Sequence, residues 1–218
     1  TGYMTDLANA VGDLLGVEIE YTDMPFTSLI PGLRRGAIDM TLTISDKKLH
    51  HDVLDFVDYR RDGLRILVGA GNPNGFDSLE SLCGHTVAVL SGSIAEGVLT
   101  EVNESCADPM EIKVFPGIAY AQLAVRSGQA EATFGGETTL NYLSANAEGG
   151  TVFEVAPGGP YTDQPDAIAF LKGNDELRDA VQAALQRLVD NGSAIKILEK
   201  YGADLSSLYD PVPINVAK

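Results

Sequence analysis

The sequence predicts an α/β protein of two lobes, each with a mixed or mostly parallel sheet flanked by helices. A helix end, a glycine and a short polar link lead into an apolar strand at Leu33–Ile44, and the same plan recurs at Val125–Gly135. Gly36 and Gly128 serve as the helix stops, because glycine accepts positive φ. Predicted strands also alternate with predicted helices, which is typical of mostly parallel sheets. Two lobes imply a cleft for a small molecule, although helix–glycine–strand units are also common in α/β proteins generally.

Apolar periodicity predicts the elements of the first third of the chain. Leu7, Val11 and Leu14 share one helical face, and Gly16 ends that helix. The turn sequence Asn72–Gly75 marks a candidate lobe boundary. The predicted elements before it are a helix at Asp6–Leu15, a strand at Val17–Tyr21, a helix at Phe26–Arg35, a strand at Asp39–Ile44, a short apolar segment at Val53–Val57 and a strand at Leu64–Val68.

The same analysis continues to the end of the chain. Asn174 is a candidate cap for a long helix, and the tail after Pro211 is expected to be irregular. The predicted strands are Thr86–Leu90, Ile112–Phe115, Glu131–Phe134, Thr151–Val155 and Ala167–Leu171. One predicted helix begins at Ile94, and the long helix after Asn174, with Leu177, Val181, Leu185 and Leu188 facing inward, ends at Asn191-Gly192. The other predicted helices span Tyr120–Arg126, Glu137–Leu143 and Ser193–Tyr201.

Composition narrows the classes of function. The 218 residues are 44% hydrophobic and 21% charged, as in an ordinary globular protein. The formal charge of −16 makes nucleic acid and anionic membranes poor partners. No apolar run reaches the roughly 18 residues of a membrane span. No signal peptide is seen at Thr1, so the start of the natural protein is expected to be missing.

Two cysteines, Cys83 and Cys106, constrain the redox chemistry. They lack C-x-x-C spacing, and with three scattered histidines they make a weak case for a metal site. A disulfide would stabilise the fold by roughly 3 kcal/mol and indicate a location outside the cytoplasm. From counting alone, two buried free thiols are equally consistent with the sequence.

Several segments in this order resemble the bacterial extracellular solute-binding proteins of the amino-acid type, family 3. The resemblance covers nearly the whole chain and depends on order and spacing rather than on one motif. The segments are Gly2–Gly16, Pro25–Leu33, Gly36–Asp39, Asp55–Tyr59, Leu79–Gly84, Thr86–Val89, Ser91–Ser93, Leu177–Gly192 and Ile195–Gly202.

The resemblance implies the type II periplasmic-binding-protein fold, whose two lobes are joined by two hinge strands. The hinges are expected near Leu64–Asn72 and Asp166–Asn174. Lobe one would then comprise residues 1–70 and 172–218, and lobe two residues 71–171. The strand that the family places ahead of Gly2 is absent.

The resemblance also implies a cellular role. Family members bind a ligand outside the membrane and deliver it to an ABC-type permease. We therefore expect a periplasmic protein or a cell-surface lipoprotein, monomeric, without a cofactor or metal, and with its signal segment outside this chain. A cysteine pair placed like Cys83 and Cys106 occurs in some members, which favours the disulfide.

The turn Ser91-Gly92-Ser93 is the strongest local candidate for a ligand site. It joins a predicted strand to a predicted helix, whose free N–H groups attract a carboxylate or phosphate. In the family the corresponding residues bind the ligand carboxylate. The alternative is that Ser93 caps its own helix and Glu96 completes a capping box.

Further candidates lie in both lobes. Hydroxyl groups alternate along a predicted strand at Thr41, Thr43 and Ser45 and could hydrogen-bond a polar ligand. The alternative is that these residue types are present because they favour a β-strand. Tyr59 could form an aromatic wall together with Phe115, Tyr120 and Tyr161, although core packing is the alternative and is favoured for Phe115. Asp163 and Asp166, near the second hinge, could bind a cation or solvate a loop.

Two positions depart from the family pattern. His50 stands where the family has an arginine that grips the ligand carboxylate, although His50 and His51 could also be a solvated pair. Gly136 stands where the family has an aspartate that holds the α-ammonium group. The adjacent Glu137 should point into the helix start, and Gly135 and Gly136 would open room for a bulkier ligand.

These features predict a binding protein for an amino acid, an amino-acid derivative or an organic acid. The motifs of serine hydrolases, P-loop proteins and zinc proteases are absent from the sequence. One alternative is an enzyme similar to the dehydratases of aromatic amino-acid synthesis, with Glu137, Asp46 or His50 as acid or base. Another is a sensory module that uses the same lobes.

Overall fold

The chain folds into two compact units. The computed structural model describes residues 2–42 and 44–217. The first unit contains Thr1–Met24, Ser28–Asp62 and Gln164–Lys218, and the second contains Pro25–Thr27 and Gly63–Asp163. Both units are α/β, so the predicted fold class is confirmed.

The first unit is built on a small antiparallel sheet. Strand β1 (Met40–Thr41) and strand β2 (Leu54–Asp62) both pair with β8 (Gln164–Leu171), which lies between them. The apolar face of this sheet packs against three helices. These are α1 (Tyr3–Leu15), α6 (Asp175–Asp190) and α7 (Ser193–Lys200). A fourth helix, α2, spans Leu29–Arg34.

The second unit is built on a five-stranded mixed sheet. Its strands are β3 (Leu64–Gly69), β4 (Thr86–Leu90), β5 (Glu111–Phe115), β6 (Ala132–Gly136) and β7 (Phe153–Val155). In the sheet they lie in the order β5–β4–β6–β3–β7. Strands β5, β4 and β6 run parallel, and β3 and β7 are antiparallel additions. Apolar cores cover the two faces of the sheet. The helices are α3 (Ile94–Asn103), α4 (Ile118–Arg126) and α5 (Glu137–Asn146).

The predicted boundaries between the lobes differ from those of the two units. The chain passes from the first unit to the second after Asp62 and returns after Asp163, about eight residues earlier than predicted at each crossing. The reason is pairing: β3 belongs to the sheet of the second unit, and β8 to that of the first. Gly63 begins the second unit where a Cβ atom would lie 2.3 Å from the Cβ of Pro160, so only glycine fits.

Three predicted elements are corrected. The helix expected at Phe26–Arg35 divides into a 3-10 turn at Phe26–Ser28 and the short helix α2. Val17–Tyr21 is not a strand, because no described strand pairs with it, and the Tyr21 hydroxyl instead bonds to α1. Antiparallel pairs also outnumber parallel ones among the described strands, so "mostly parallel" is wrong and "mixed" is right.

The cysteine prediction is confirmed. Cys83 and Cys106 form a disulfide within the second unit, with their Cα atoms 5.5 Å apart. Among the residues described, none of the helices has the length and apolar character needed to cross a membrane.

Candidate functional site

The carboxyl ends of three parallel strands meet at one edge of the second unit's sheet. Ser91 follows β4, Pro116 follows β5, and Gly136 ends β6. Open α/β sheets bind ligands outside the carboxyl ends of such strands. The predicted candidates of this unit, Ser91–Ser93 and Gly135–Glu137, therefore share one edge of the sheet.

A hollow of about 240 Å³ lies at this edge, within the second unit. It is smaller than a typical ligand pocket of about 300–1,000 Å³. Sequence reasoning named Ser91 and Phe115 as candidates but missed the other four lining residues. The resemblance of Pro25–Leu33 was a signal for two of these four, and none pointed to Val114 or Pro116. The lining consists of Phe26, Thr27, Ser91, Val114, Phe115 and Pro116.

The turn Ser91–Ser93 has the predicted helix cap. The hydroxyl of Ser93 accepts a hydrogen bond from the Glu96 amide at 3.2 Å, and the Glu96 carboxylate accepts one from the Gly92 amide. Gly92 has φ 74°, and a Cβ atom there would lie 3.0 Å from Thr27 Cγ2. Glycine therefore permits both the turn and the close approach.

The amides of this turn are already engaged, so the alternative interpretation of Ser93 is realised. Ser91 N donates to Phe115 O, and Ser93 N donates to Leu90 O. An anionic ligand would have to displace Glu96 to reach the Gly92 amide. The ligand role of Ser91, Gly92 and Ser93 stays a prediction.

At the end of β6, Glu137 makes an ion pair. Its Oε1 accepts a hydrogen bond from Arg65 Nε at 2.7 Å, and Arg65 also donates to Gly158 O. Because the carboxylate is neutralised by arginine, it is poorly suited to hold a ligand ammonium group. A Cβ atom at Gly135 would lie 3.5 Å from Ile118 Cδ1, so this glycine faces packed core rather than open room.

The candidates of the first unit lie on and after β1. Thr41 is buried in β1 opposite Ala169, and Ser45 is half-buried beyond the strand's end. The strand ends at Thr41, so the alternation expected through Ile44 does not form. Thr43 lies outside the described residues.

His50 ends a 3-10 turn at Lys48–His50 and is half-buried. Burial, with Lys47 and His51 beside it, lowers the pKa of His50 below its ordinary value. The ring is therefore less charged near neutral pH than the sequence suggested, which weakens its case as an anchor for an anion. His51 is not solvated but bonds Asp46 at 2.5 Å.

The four residues of the predicted aromatic wall have different surroundings. Tyr59 lies in the core of the first unit at 2% exposure, a placement that favours packing. Phe115 packs partly against a core of the second unit, as favoured from the sequence. Tyr120 is exposed, and Tyr161 packs edge-on against Phe134.

Asp166 belongs to a buried ionic cluster that sequence reasoning missed. Arg60 is 1% exposed and pairs with Asp62 at 2.6 Å and with Asp166 at 3.1 Å. The Tyr3 hydroxyl also donates to Asp166, and the guanidinium lies 5.0 Å from the Tyr3 ring centroid. Asp166 is thus neutralised by arginine rather than solvated in a loop. Among the described residues, no group of three acidic, histidine or cysteine side chains could hold a metal ion.

Comparison with known proteins agrees with the resemblance seen in the sequence. The model of the bacterial extracellular solute-binding proteins, family 3, matches residues 1–204. The arginine-binding protein ArgT of Corynebacterium glutamicum is 26% identical over 98% of this chain and 70% of its own length. The ABC transporter glutamine-binding protein GlnH of Bacillus subtilis is 29% identical over 92% of this chain and 72% of its own length.

Solved structures give the same result. An ancestral arginine-binding protein bound to arginine superposes with a TM-score of 0.79 at 30% identity, covering 92% of this chain and 88% of that one. The ancestral amino-acid-binding protein AncCDT-1, a precursor of cyclohexadienyl dehydratase, has a TM-score of 0.78 at 28% identity, covering 92% and 84%.

Proposed function

Because the chain belongs to the bacterial extracellular solute-binding proteins of family 3, we propose that it binds a small polar metabolite outside the cytoplasm for an ABC-type importer. The observation that carries this proposal is the family match over residues 1–204. The disulfide supports an extracytoplasmic location, since disulfides persist in oxidising compartments. A permease partner and a monomeric state are parts of the same proposal.

An amino acid or a close derivative is the ligand class that the relatives support, since two of them are an arginine-binding and a glutamine-binding protein. The formal charge of −16 favours the approach of a cationic ligand such as arginine. His50 and Gly136 replace the two anchors usual in the family, so binding needs other contacts. The Ser91–Ser93 turn is our leading candidate for one of them.

A thermal-shift screen tests this proposal. L-arginine, L-glutamine, L-cystine and succinate are each added in excess, with the D-enantiomers of the amino acids as controls. A ligand at one hundred times its Kd stabilises the native state by about 2.7 kcal/mol. We expect at least one L-amino acid to raise Tm and its enantiomer to have little effect. If every compound leaves Tm unchanged, the proposed function is wrong.

An enzymatic role is the second candidate, and the similarity to a precursor of a dehydratase favours it. It needs a free acid or base, but Glu137 is paired with Arg65 and Asp46 with His51. We therefore place binding first. Turnover of prephenate by the purified protein, lost in Glu137→Gln, would reverse that order.

A further inference from the structure

Buried carboxylates of the first unit hold the segment Val212–Ala217. Asp58 Oδ2 accepts a hydrogen bond from the Val216 amide at 3.1 Å, and Asp46 Oδ2 accepts one from the Ala217 amide at 2.8 Å. Asp55 accepts a third from the Asn215 side chain at 2.9 Å. Backbone pairing with β2 also holds the segment, since Asp58 N donates to Pro213 O and Asn215 N donates to Phe56 O. The buried carboxylates add side-chain bonds to this pairing.

The carboxyls of Asp46 and Asp58 lie close together inside the protein. They bind the amides of two successive residues, whose Cα atoms are about 3.8 Å apart. Both side chains are removed from water, with Asp58 0% exposed and Asp46 3% exposed. Two negative charges that are buried near each other repel, and the charge of Asp46 accordingly acts on Asp58.

One oxygen of Asp58 lacks a donor. Oδ1 is buried and has no hydrogen-bond partner among the described residues. An ionised carboxylate can only accept hydrogen bonds, whereas a protonated one can also donate. A proton placed between Asp46 and Asp58 would satisfy this oxygen and remove one of the two charges.

We propose that Asp46 and Asp58 share one proton. This proton stabilises the contacts that the Val212–Ala217 segment and the Ser45–His51 segment make with strand β2. Asp46 lies within the second of these segments, where its amide donates to Pro165 O and its side chain bonds His51. Ser45 and His50 are candidate ligand residues on that segment. The shared proton would therefore also control ligand binding, and this part of the inference rests on the proposed function.

The electrostatics agree in sign with a shared proton. Burial, and next the charge of Asp46, raise the pKa of Asp58 to about 7, while the Val216 amide opposes the shift. Asp46 is the charged group that faces Asp58, and the side chain of His51 pairs with Asp46. Asp55 is bound separately, by Arg178 and Asn215.

The raised pKa fixes the direction of the pH effect. The native state holds this proton more tightly than the unfolded chain, whose aspartates have a pKa of about 3.9. Stability from the pair is therefore complete below that value and is lost as pH rises through about 7. Above pH 7 both carboxylates are charged, and the two segments should loosen.

Urea unfolding of the whole chain at pH 5.5, 7.0 and 8.5 tests the shared proton. Asp58→Asn supplies a permanent donor toward Asp46. We expect the ratio of the wild-type unfolding constant to that of the variant to be about thirtyfold larger at pH 8.5 than at pH 5.5. Asp55→Asn is the matched control, because it alters a carboxylate that binds the same segment, and it should leave the pH slope unchanged.

Two results would overturn the shared proton. One is a pH slope of stability in Asp58→Asn equal to that of the wild type. The second measurement needs no variant: carboxyl ¹³C NMR of the wild-type protein should show one aspartate titrating near pH 7. If every aspartate titrates below pH 5, the pair does not share a proton.

The ligand arm measures L-arginine affinity by calorimetry at pH 6.0 and 8.5. We expect wild-type affinity to fall several-fold at the higher pH and that of Asp58→Asn to stay constant. His50→Gln should keep the fall, because the fall is assigned to the aspartate pair, and burial lowers the pKa of His50 and so reduces its charge in this range. Equal pH profiles in wild type and Asp58→Asn would overturn the coupling. If arginine and the other probes bind at no pH, the proposed function fails while the unfolding and NMR results still decide the shared proton.

Discussion

The two units place charge differently. The buried charged side chains of the described chain all lie in the first unit: Asp46, Asp55, Asp58 and Arg60. In the second unit the buried polar side chains are two threonines, and the core is apolar and cross-linked by the disulfide. Both units have an apolar core, but buried ionic networks are added in the first unit and a covalent cross-link is added in the second.

This contrast indicates which changes should destabilise each unit. A buried ion pair contributes little net stability, but breaking it leaves an uncompensated charge. The first unit should therefore respond to pH and to loss of a single charged partner. The second should respond to reduction and to changes in packing.

Removal of Arg60 should have the largest effect. Arg60→Met leaves Asp62 and Asp166 without their buried cation, and a loss of about 3–5 kcal/mol is expected. Urea unfolding measures the change. Arg65→Met is the matched control on the next strand, where the ion pair with Glu137 is more exposed and should cost less than about 1 kcal/mol. Equal losses in the two variants would refute the contrast between the units.

Removal of the disulfide should have the next largest effect. The double variant Cys83→Ser/Cys106→Ser opens a loop with a sequence separation of 23 residues and should lose about 3 kcal/mol. Unfolding of the wild type with a reducing agent is the control, and it should give the same loss. A reduced wild type as stable as the oxidised protein would show that packing alone holds the second unit.

The cap of α3 should contribute about 1 kcal/mol. Ser93→Ala removes the hydroxyl that accepts the Glu96 amide, whereas Ser91→Ala leaves this cap intact. We expect a lower urea midpoint only for Ser93→Ala. Identical midpoints for the two variants would mean that the cap does not stabilise the helix, and the case for a ligand-binding role of Ser93 would then be stronger.

Local signals predicted the second unit better than the first. The boundaries of β4 agree with the prediction, since an apolar run between turn residues needs no distant partner to be recognised. In contrast, only a short apolar segment was predicted at Val53–Val57, whereas β2 spans Leu54–Asp62. The polar sequence from Asp58 onward reads as a loop, and it is buried only because partners far away in sequence neutralise it.

The same reason limits prediction of the candidate site. The helix cap at Ser93 is encoded within four residues and was foreseen as an alternative, although the Glu96 carboxylate bonds the Gly92 amide rather than the Ser93 amide that a capping box requires. The pairing of Asp58 with Val216 spans 158 positions, and that of Arg60 with Asp166 spans 106. No short pattern marks such pairs, so a single sequence gives no reason to place these charges inside the protein.

The last prediction compares a carboxylate of the second unit with Asp58. Glu131 accepts hydrogen bonds from the Thr86 amide at 2.9 Å and from Asn74, and it pairs with His85. The Thr86 amide, assisted by His85, lowers the pKa of Glu131. Its stabilisation is therefore present above the pKa of the unfolded chain and is lost as pH falls through the lower, native value. This direction is opposite to that of Asp58.

Glu131→Gln removes the charge but keeps the shape of the side chain. We expect it to lower stability at pH 7 and to approach the wild type below about pH 4, where the carboxyl of unfolded wild-type chains is also protonated. Urea midpoints from pH 7 to pH 3 measure the difference. Asp58→Asn over the same range should show its advantage growing toward high pH. A deficit for Glu131→Gln that is constant with pH would assign the loss to hydrogen bonds that the amide cannot accept rather than to charge, and only Asp58 would then link stability to protons.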